Sequence, residues 1–144
     1  MSHFSIPLDK LAEKVQLDLE TVTRKAALEM FNAVSLKAPV DTGRYRANMN
    51  VSYNAVDKTV TQSTDQSRMQ SEIAKVNTLP IGGVWFLCNS LPYAQVIEFG
   101  EYPNPPKHPT GKTINGYSTQ APQGVFRITV LQFNDYVKKA IAKK

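Results

Sequence analysis

Val40-Asp41-Thr42-Gly43 places a carboxylate directly after an apolar residue and before a hydroxyl and a glycine. Aspartic proteases present their catalytic carboxylate in this way, and the chemistry needs two such groups close enough to share one proton. A chain with one copy of the motif would have to dimerise to supply the second. Retroviral-type proteases carry Ser, Thr or Ala after the glycine, whereas Arg44 stands here. A guanidinium beside the dyad favours ionisation of both carboxylates and so opposes the shared proton. Those enzymes are almost wholly β, and this motif follows a long helical pattern. The residues therefore argue for a turn and against a catalyst at Asp41.

A second stretch, Thr110-Gly111-Lys112-Thr113, ends like a phosphate-binding loop. The full pattern needs glycine where Pro106 stands and a helix opening directly afterwards. Ile114-Asn115-Gly116-Tyr117 continues a loop instead. His3 and His108 have no spaced carboxylate or cysteine partner of the kind a metal site requires. Cys88, the single cysteine, lies in Val84-Trp85-Phe86-Leu87-Cys88 and reads as a small buried hydrophobe. No strand–nucleophile–helix elbow is present. The sequence predicts no enzyme, no cofactor and no metal.

Read structurally, the same stretch makes sense residue by residue. Pro39 ends a helix, because the residue before proline is pushed out of the helical region. Asp41 accepts backbone N–H groups two residues on, Thr42 follows it, and Gly43 gives the chain freedom to reverse. Arg44 and Arg46, on an extended segment, would face one side. They would then meet an acidic residue such as Glu98 or carboxylates of another chain, or else stay solvated.

The elements that position this turn are legible to different degrees. Leu8, Leu11, Val15, Leu19, Val22, Ala26, Met30 and Val34 recur at three- and four-residue steps, which predicts an amphipathic helix over 7–37. Pro7 suits its first turn, and Asp9 and Glu13 its positive end. At 1.5 Å per residue it would span roughly 45 Å, long for this chain. Leu17, Leu28 and Phe31 lie off the main stripe, so part of the helix should pack against something besides its own core. Residues 38–100 are expected to form the turn and a sheet with a short helix. A strand is read over Ala47–Val60, a helix over Arg68–Val76, a strand buried on both faces over Val84–Asn89, and a short element over Tyr93–Phe99 closed by Gly100. Residues 101–123 form a long, exposed, Pro-rich loop. Residues 124–144 form a C-terminal helix, with an initial strand over Phe126–Val130 left open.

The bulk numbers limit the function classes. The 144 residues suit a single domain, 1–144, with an ordinary globular balance of 42% hydrophobic and 20% charged residues. No run approaches the roughly 20 apolar residues of a membrane helix. Met1-Ser2-His3-Phe4-Ser5 lacks the basic-then-apolar order of a secretory leader, so synthesis and folding in a reducing cytoplasm are expected. The net charge is +5, with lysines at 138, 139, 143 and 144. Those lysines read as a phosphate footprint or as a solvated helix end.

Three blocks, taken together, resemble the signature of a tailed-bacteriophage family. Ala38-Pro39-Val40-Asp41-Thr42-Gly43-Arg44-Tyr45-Arg46-Ala47 is followed by Asn89-Ser90-Leu91-Pro92-Tyr93-Ala94 running into Glu98-Phe99-Gly100, then by Ala121-Pro122 and a helical tail. The family comprises neck, head–tail joining and tail-completion proteins and includes the lambda minor tail protein Z. Tyr45 departs from its usual leucine, and residues 61–78 and 101–120 have no clear counterpart.

The resemblance implies an α+β fold, a long N-terminal helix packed on a small antiparallel sheet with a C-terminal helix. It implies a structural virion protein at the neck or tail top, present in the host cytoplasm during assembly. Its partners would be further copies in a ring, hexameric or dodecameric, the head–tail connector, and tail-tube or tail-terminator proteins. No membrane is implied, and DNA would be contacted non-specifically in the lumen. Asn89, Pro92, Ala94, Gly100 and Pro122 are the motif positions; Arg44, Arg46, Tyr93 and Glu98 are the expected assembly or ion-pair contacts. The rival reading from another class is a small basic nucleic-acid-binding module.

Overall fold

The computed structural model describes residues 7–142, without the side chains of Gln16 and Leu17. His3, Lys143, Lys144 and the off-stripe Leu17 lie outside the described residues or side chains. The architecture is α+β. Helix α1 runs Leu8–Lys37, with Pro7 capping its start and Ala38, in extended conformation, ending it. A one-turn helix α2, Arg44–Ala47, leads into strand β1, Met49–Tyr53. Helix α3, Ser67–Ala74, continues as a 3-10 turn over Lys75–Asn77. Strand β2, Trp85–Asn89, pairs antiparallel with β1 in the register Met49 opposite Asn89 through Tyr53 opposite Trp85. Helix α4, Ala94–Phe99, closes on Gly100 in the left-handed conformation.

The core gathers where these elements meet. Val34 and Ala38 of the α1 end pack with Tyr45, Met49, Met69, Ile73, Leu91, Ile97, Ala121 and Val125. Apolar side chains recurring at helical and strand spacing bury one face each, and removing that area from water drives the assembly of the layers.

Several expectations need correction. The strand read over Ala47–Val60 ends at Tyr53, because Asn54 turns the chain in the left-handed region at φ 62°. Asn54 then exchanges hydrogen bonds with Val84, its N–H donating to Val84 O and its Oδ1 accepting from Val84 N. The returning chain is held by side chains rather than by a ladder. Asn48 Nδ2 donates to Thr61 O at 3.0 Å while its Oδ1 accepts from Thr61 N at 2.7 Å, and Asn50 Nδ2 donates to Thr59 O at 2.8 Å. Both asparagines are buried, so these bonds satisfy groups that would otherwise cost stability.

The strand β2 is half-buried throughout rather than buried on both faces, and among the described residues it pairs with β1 alone. Within 101–123 a two-residue hairpin forms, β3 Thr113–Ile114 with β4 Tyr117–Ser118, so the segment is not wholly loop. The C-terminal region is helical from Phe126, which removes the initial-strand alternative. It breaks at Gln132 into α5, Phe126–Leu131, and α6, Phe133–Ala142.

Candidate functional site

The Asp-Thr-Gly turn joins two helices rather than a helix and a strand. Gly43 caps α2 at φ 94°, and a Cβ there would lie 2.5 Å from Thr64 O, so both conformation and space select glycine. Thr42 Oγ1 accepts from Arg44 N at 3.2 Å. The Asp41 carboxylate is 84% exposed and faces Lys112 Nζ at 3.8 Å. An exposed carboxylate beside an ammonium offers nothing that would favour a shared proton.

Arg44 and Arg46 lie on α2, not on an extended segment, and two residues apart on a helix they do not face the same way. Arg46 reaches back to Ala38 O, donating from Nε at 3.2 Å and from Nη2 at 3.0 Å, which satisfies a carbonyl freed at the end of α1. Arg44 Nε donates to Thr61 O at 3.4 Å. Among the described residues, Glu98 pairs with Arg127 and with neither of these arginines.

Glu98 instead plugs the start of α5. Its side chain, 11% exposed, accepts from the backbone N–H groups of Val125 at 3.0 Å, Phe126 at 2.5 Å and Arg127 at 3.2 Å. These are the donors a helix leaves unpaired at its positive end, where an anion is most favourable. Arg127 completes the unit. Its Nη2 donates to Glu98 O at 2.6 Å, and its guanidinium stacks 4.4 Å from the Phe99 ring. Gly124, at φ 80°, makes the approach possible: a Cβ there would overlap Glu98 Oε2 and sit 2.7 Å from Glu98 O.

The three sequence blocks are thereby tied pairwise. Asn89 Nδ2 donates to Tyr45 O at 2.8 Å, and its Oδ1 accepts from Leu91 N at 3.1 Å, joining the second block to the first. Glu98 joins the second to the third through α5. The amide of Gln120 closes the triangle on Val40, accepting from its N–H at 2.8 Å and donating to its carbonyl at 2.9 Å. Ala94 opens α4 and Gly100 closes it, Ala121 is buried, and Pro92 and Pro122 are exposed.

Gln120, Gly124 and Arg127 were missed by the sequence reading. One signal for them existed. Arginine in the first turn of a helix opposes the helix dipole, which calls for a carboxylate close by.

Beside the turn lies an open cleft of about 780 Å³. Its walls include Val40, Tyr45, Tyr93, Ile97 and Tyr102, with Asp41, Arg44, Lys112 and Gln120 around them. Burial pushes the hydroxyls of Tyr93 and Tyr102 up from their ordinary range, and Asp41 adds to both. Tyr45 is shifted upward furthest, by burial first and then by the nearby Glu98 and Tyr93. Its hydroxyl is the only buried side-chain polar atom without a hydrogen-bond partner among the described residues.

β3 starts at Thr113, so no helix N-terminus follows Gly111-Lys112. His108 is exposed. Cys88 is half-buried, with its sulfur 3.4 Å from Ser90 Oγ. Among the described residues no cluster of His, Cys, Asp and Glu could hold a metal ion, and no helix is long and apolar enough to cross a membrane.

At the far end of α1 the apolar stripe continues without cover. Leu8 is 83% exposed and Leu19 60%, with Leu11 and Val15 exposed between them, and Ile81 borders this face. Every residue from Pro7 to Val15 is exposed, so the first two turns form an arm with Ile81 at its border.

No curated protein and no solved structure matches the chain at a significant level. A family model described as "Bacteriophage HK97-gp10, putative tail-component" matches residues 6–100, which takes in the first two sequence blocks and every element from α1 to α4. The chain belongs to this HK97-gp10-like family of bacteriophage tail components.

Proposed function

We propose that the protein is a non-enzymatic joint at the top of the phage tail. It assembles with copies of itself into a ring that connects the portal side of the head to the tail tube. The observation that carries this reading is the exposed apolar arm of α1, which adds to exposed apolar side chains elsewhere such as Leu36, Val130, Leu131 and Phe133. A monomer that leaves Leu8, Leu11, Val15 and Leu19 in water keeps a surface whose burial awaits another chain. The triangle of Asn89, Glu98 and Gln120 supports a structural role in another way. Asn89, Glu98 and Gln120 are spent on holding β2 to α2, α4 to α5, and the end of the hairpin to the turn after α1.

Ring-forming contacts are heterologous, with one patch meeting a different patch on the next copy. The arm and the cleft, at opposite ends of α1, are two such different surfaces. The basic balance of the chain, +5, suits non-specific contact with DNA passing through the lumen. Negative-stain microscopy of the purified protein, alone and with the connector and tail-tube proteins, tests the assignment. Closed rings are expected, and a monomer that binds neither partner overturns it.

A further inference from the structure

We infer that the open edge of β2 in one copy pairs, strand to strand, with the segment 56–60 of the next copy. The inference deepens the ring reading and rests on it. The open edge follows from the hydrogen bonding. Asn54 N–H donates to Val84 O, so the pair just beyond the two strands is a bonded one, and bonded and non-bonded pairs alternate along an antiparallel ladder. Val51 gives the same phase, because its N–H turns away from β2 and donates to Glu72 Oε1 at 3.3 Å. Trp85, Leu87 and Asn89 therefore point their N–H and C=O groups away from β1. Among the described residues none of these backbone groups has a partner.

Free edges are usually blunted by charge, proline or a bulge. Trp85-Phe86-Leu87-Cys88-Asn89 has no charge and no proline, and its register with β1 is unbroken. At the other edge of the sheet, Glu72 of α3 already takes the outward N–H of Val51. A strand can join this sheet at β2.

The chain carries a matching row. Val56-Asp57-Lys58-Thr59-Val60 is rich in β-branched residues, which suit a strand. Asn50 Nδ2 takes the carbonyls of Asp57 and Thr59, and Asn48 takes Thr61, so the odd-numbered residues are turned to β1. Val56, Lys58 and Val60 are exposed, and their backbone groups have no partner among the described residues. Three free residues at two-residue spacing thus match three on β2. A copy cannot satisfy itself, since its own segment is tied to β1, whereas a strand added to β2 lies two strand spacings from β1, about 9–10 Å. Pairing of β2 with β2 would be two-fold and stop at two copies. Pairing of β2 with the segment is head-to-tail and propagates until a ring closes. Main-chain bonds supply the affinity in such strand addition.

The test uses the full chain with Cys88→Ser as background, so that introduced thiols are the only ones. Lys58→Cys marks the segment and Val84→Cys the start of the β2 edge; both side chains are exposed, so the fold should be unaffected. Each variant alone, and the two mixed, are treated with a short bis-maleimide linker at a concentration where the parent forms rings. The expected result is at least tenfold more linked pairs in the mixture than in either variant alone. Linked pairs in Val84→Cys alone mean that β2 pairs with β2, and overturn the inference. Rings without linked pairs also overturn it while leaving the ring reading standing, whereas absence of both rings and pairs defeats both. Proline gives a second readout. Lys58→Pro removes a free N–H of the segment and should reduce ring formation at least tenfold with unchanged circular dichroism, while Lys58→Ala, which keeps that N–H, should assemble like the parent. Intact rings in Lys58→Pro, or equal loss in both variants, would contradict strand pairing.

Discussion

Replacing Glu98 by alanine removes the acceptor for three backbone N–H groups at the start of α5. The Val125 bond is buried, so its orphaned donor bears a full desolvation cost of about 1–3 kcal/mol. The Phe126 and Arg127 bonds are partly accessible, where water recovers some of the loss, and together they behave like a lost helix cap at about 0.5–2 kcal/mol. The expected destabilisation is about 3 kcal/mol, and Tm should fall by roughly 10 °C for a chain of this length. Glu98→Gln keeps the shape and one acceptor oxygen but loses the charge at the helix N-terminus, a cost of about 1–2 kcal/mol.

Gly124→Ala sharpens the test. Its Cβ would overlap the Glu98 carboxylate, and its positive φ adds about 1–2 kcal/mol of backbone cost. In the Glu98→Ala background the side-chain overlap is gone, so the double variant should be more stable than the sum predicts by at least about 1 kcal/mol. Urea unfolding followed by far-UV circular dichroism, with constant slope, reads all four proteins. A Glu98→Ala cost below about 1 kcal/mol, or strict additivity with Gly124→Ala, would refute the reasoning.

Three further outcomes follow from the same geometry. Gly43→Val should destabilise the fold by more than about 2 kcal/mol, since it combines a disfavoured left-handed conformation with overlap on Thr64 O; unchanged thermal unfolding would remove the turn argument. Burial raises the Tyr45 hydroxyl above its ordinary 10.0, so the unfolded chain releases that proton first. Stability from this group is complete below about pH 10 and is lost as pH rises beyond it, by at most about 1.4 kcal/mol per unit. Tyr45→Phe should flatten that alkaline loss in denaturation midpoints measured from pH 8 to 11, and an unchanged slope would count against it. Asp41→Asn should alter stability by less than about 1 kcal/mol, because its ion pair with Lys112 is exposed. Acid-pH peptidase activity in the parent protein, lost in this variant, would restore the protease reading.

What could be read from the sequence followed from periodicity. The 3.6-residue stripe from Leu8 to Val34 specified α1 to its ends because Pro7 and Pro39 bracket it. Leu28 and Phe31, read as surplus apolar surface off the stripe, pack partly buried against the core, and the uncovered surface is the stripe itself at Leu8, Leu11, Val15 and Leu19. Side-chain hydrogen bonding was not visible. Asn48 and Asn50 read as polar residues alternating in a strand, yet both are buried and hold a returning chain that has no ladder. Arg44 and Arg46 were placed on an extended segment because Gly43 alone does not announce that one helical turn follows. Glu98 was singled out, but its target is a helix end 27 residues away, and only Arg127's awkward position hinted at that. Gln120 gave no signal, since an amide that clamps Val40 looks in sequence like any polar loop residue.

The central claim is that the chain works by assembling into a ring of identical copies between head and tail. Negative-stain electron microscopy of the purified full chain, with and without the connector and tail-tube proteins, tests it most directly. Closed rings of one chain, stacked on the connector or the tube when these are added, are the predicted result. A monodisperse monomer that stays unbound beside both partners, and that instead binds DNA tightly with steep salt dependence, would contradict the claim in favour of a nucleic-acid-binding module.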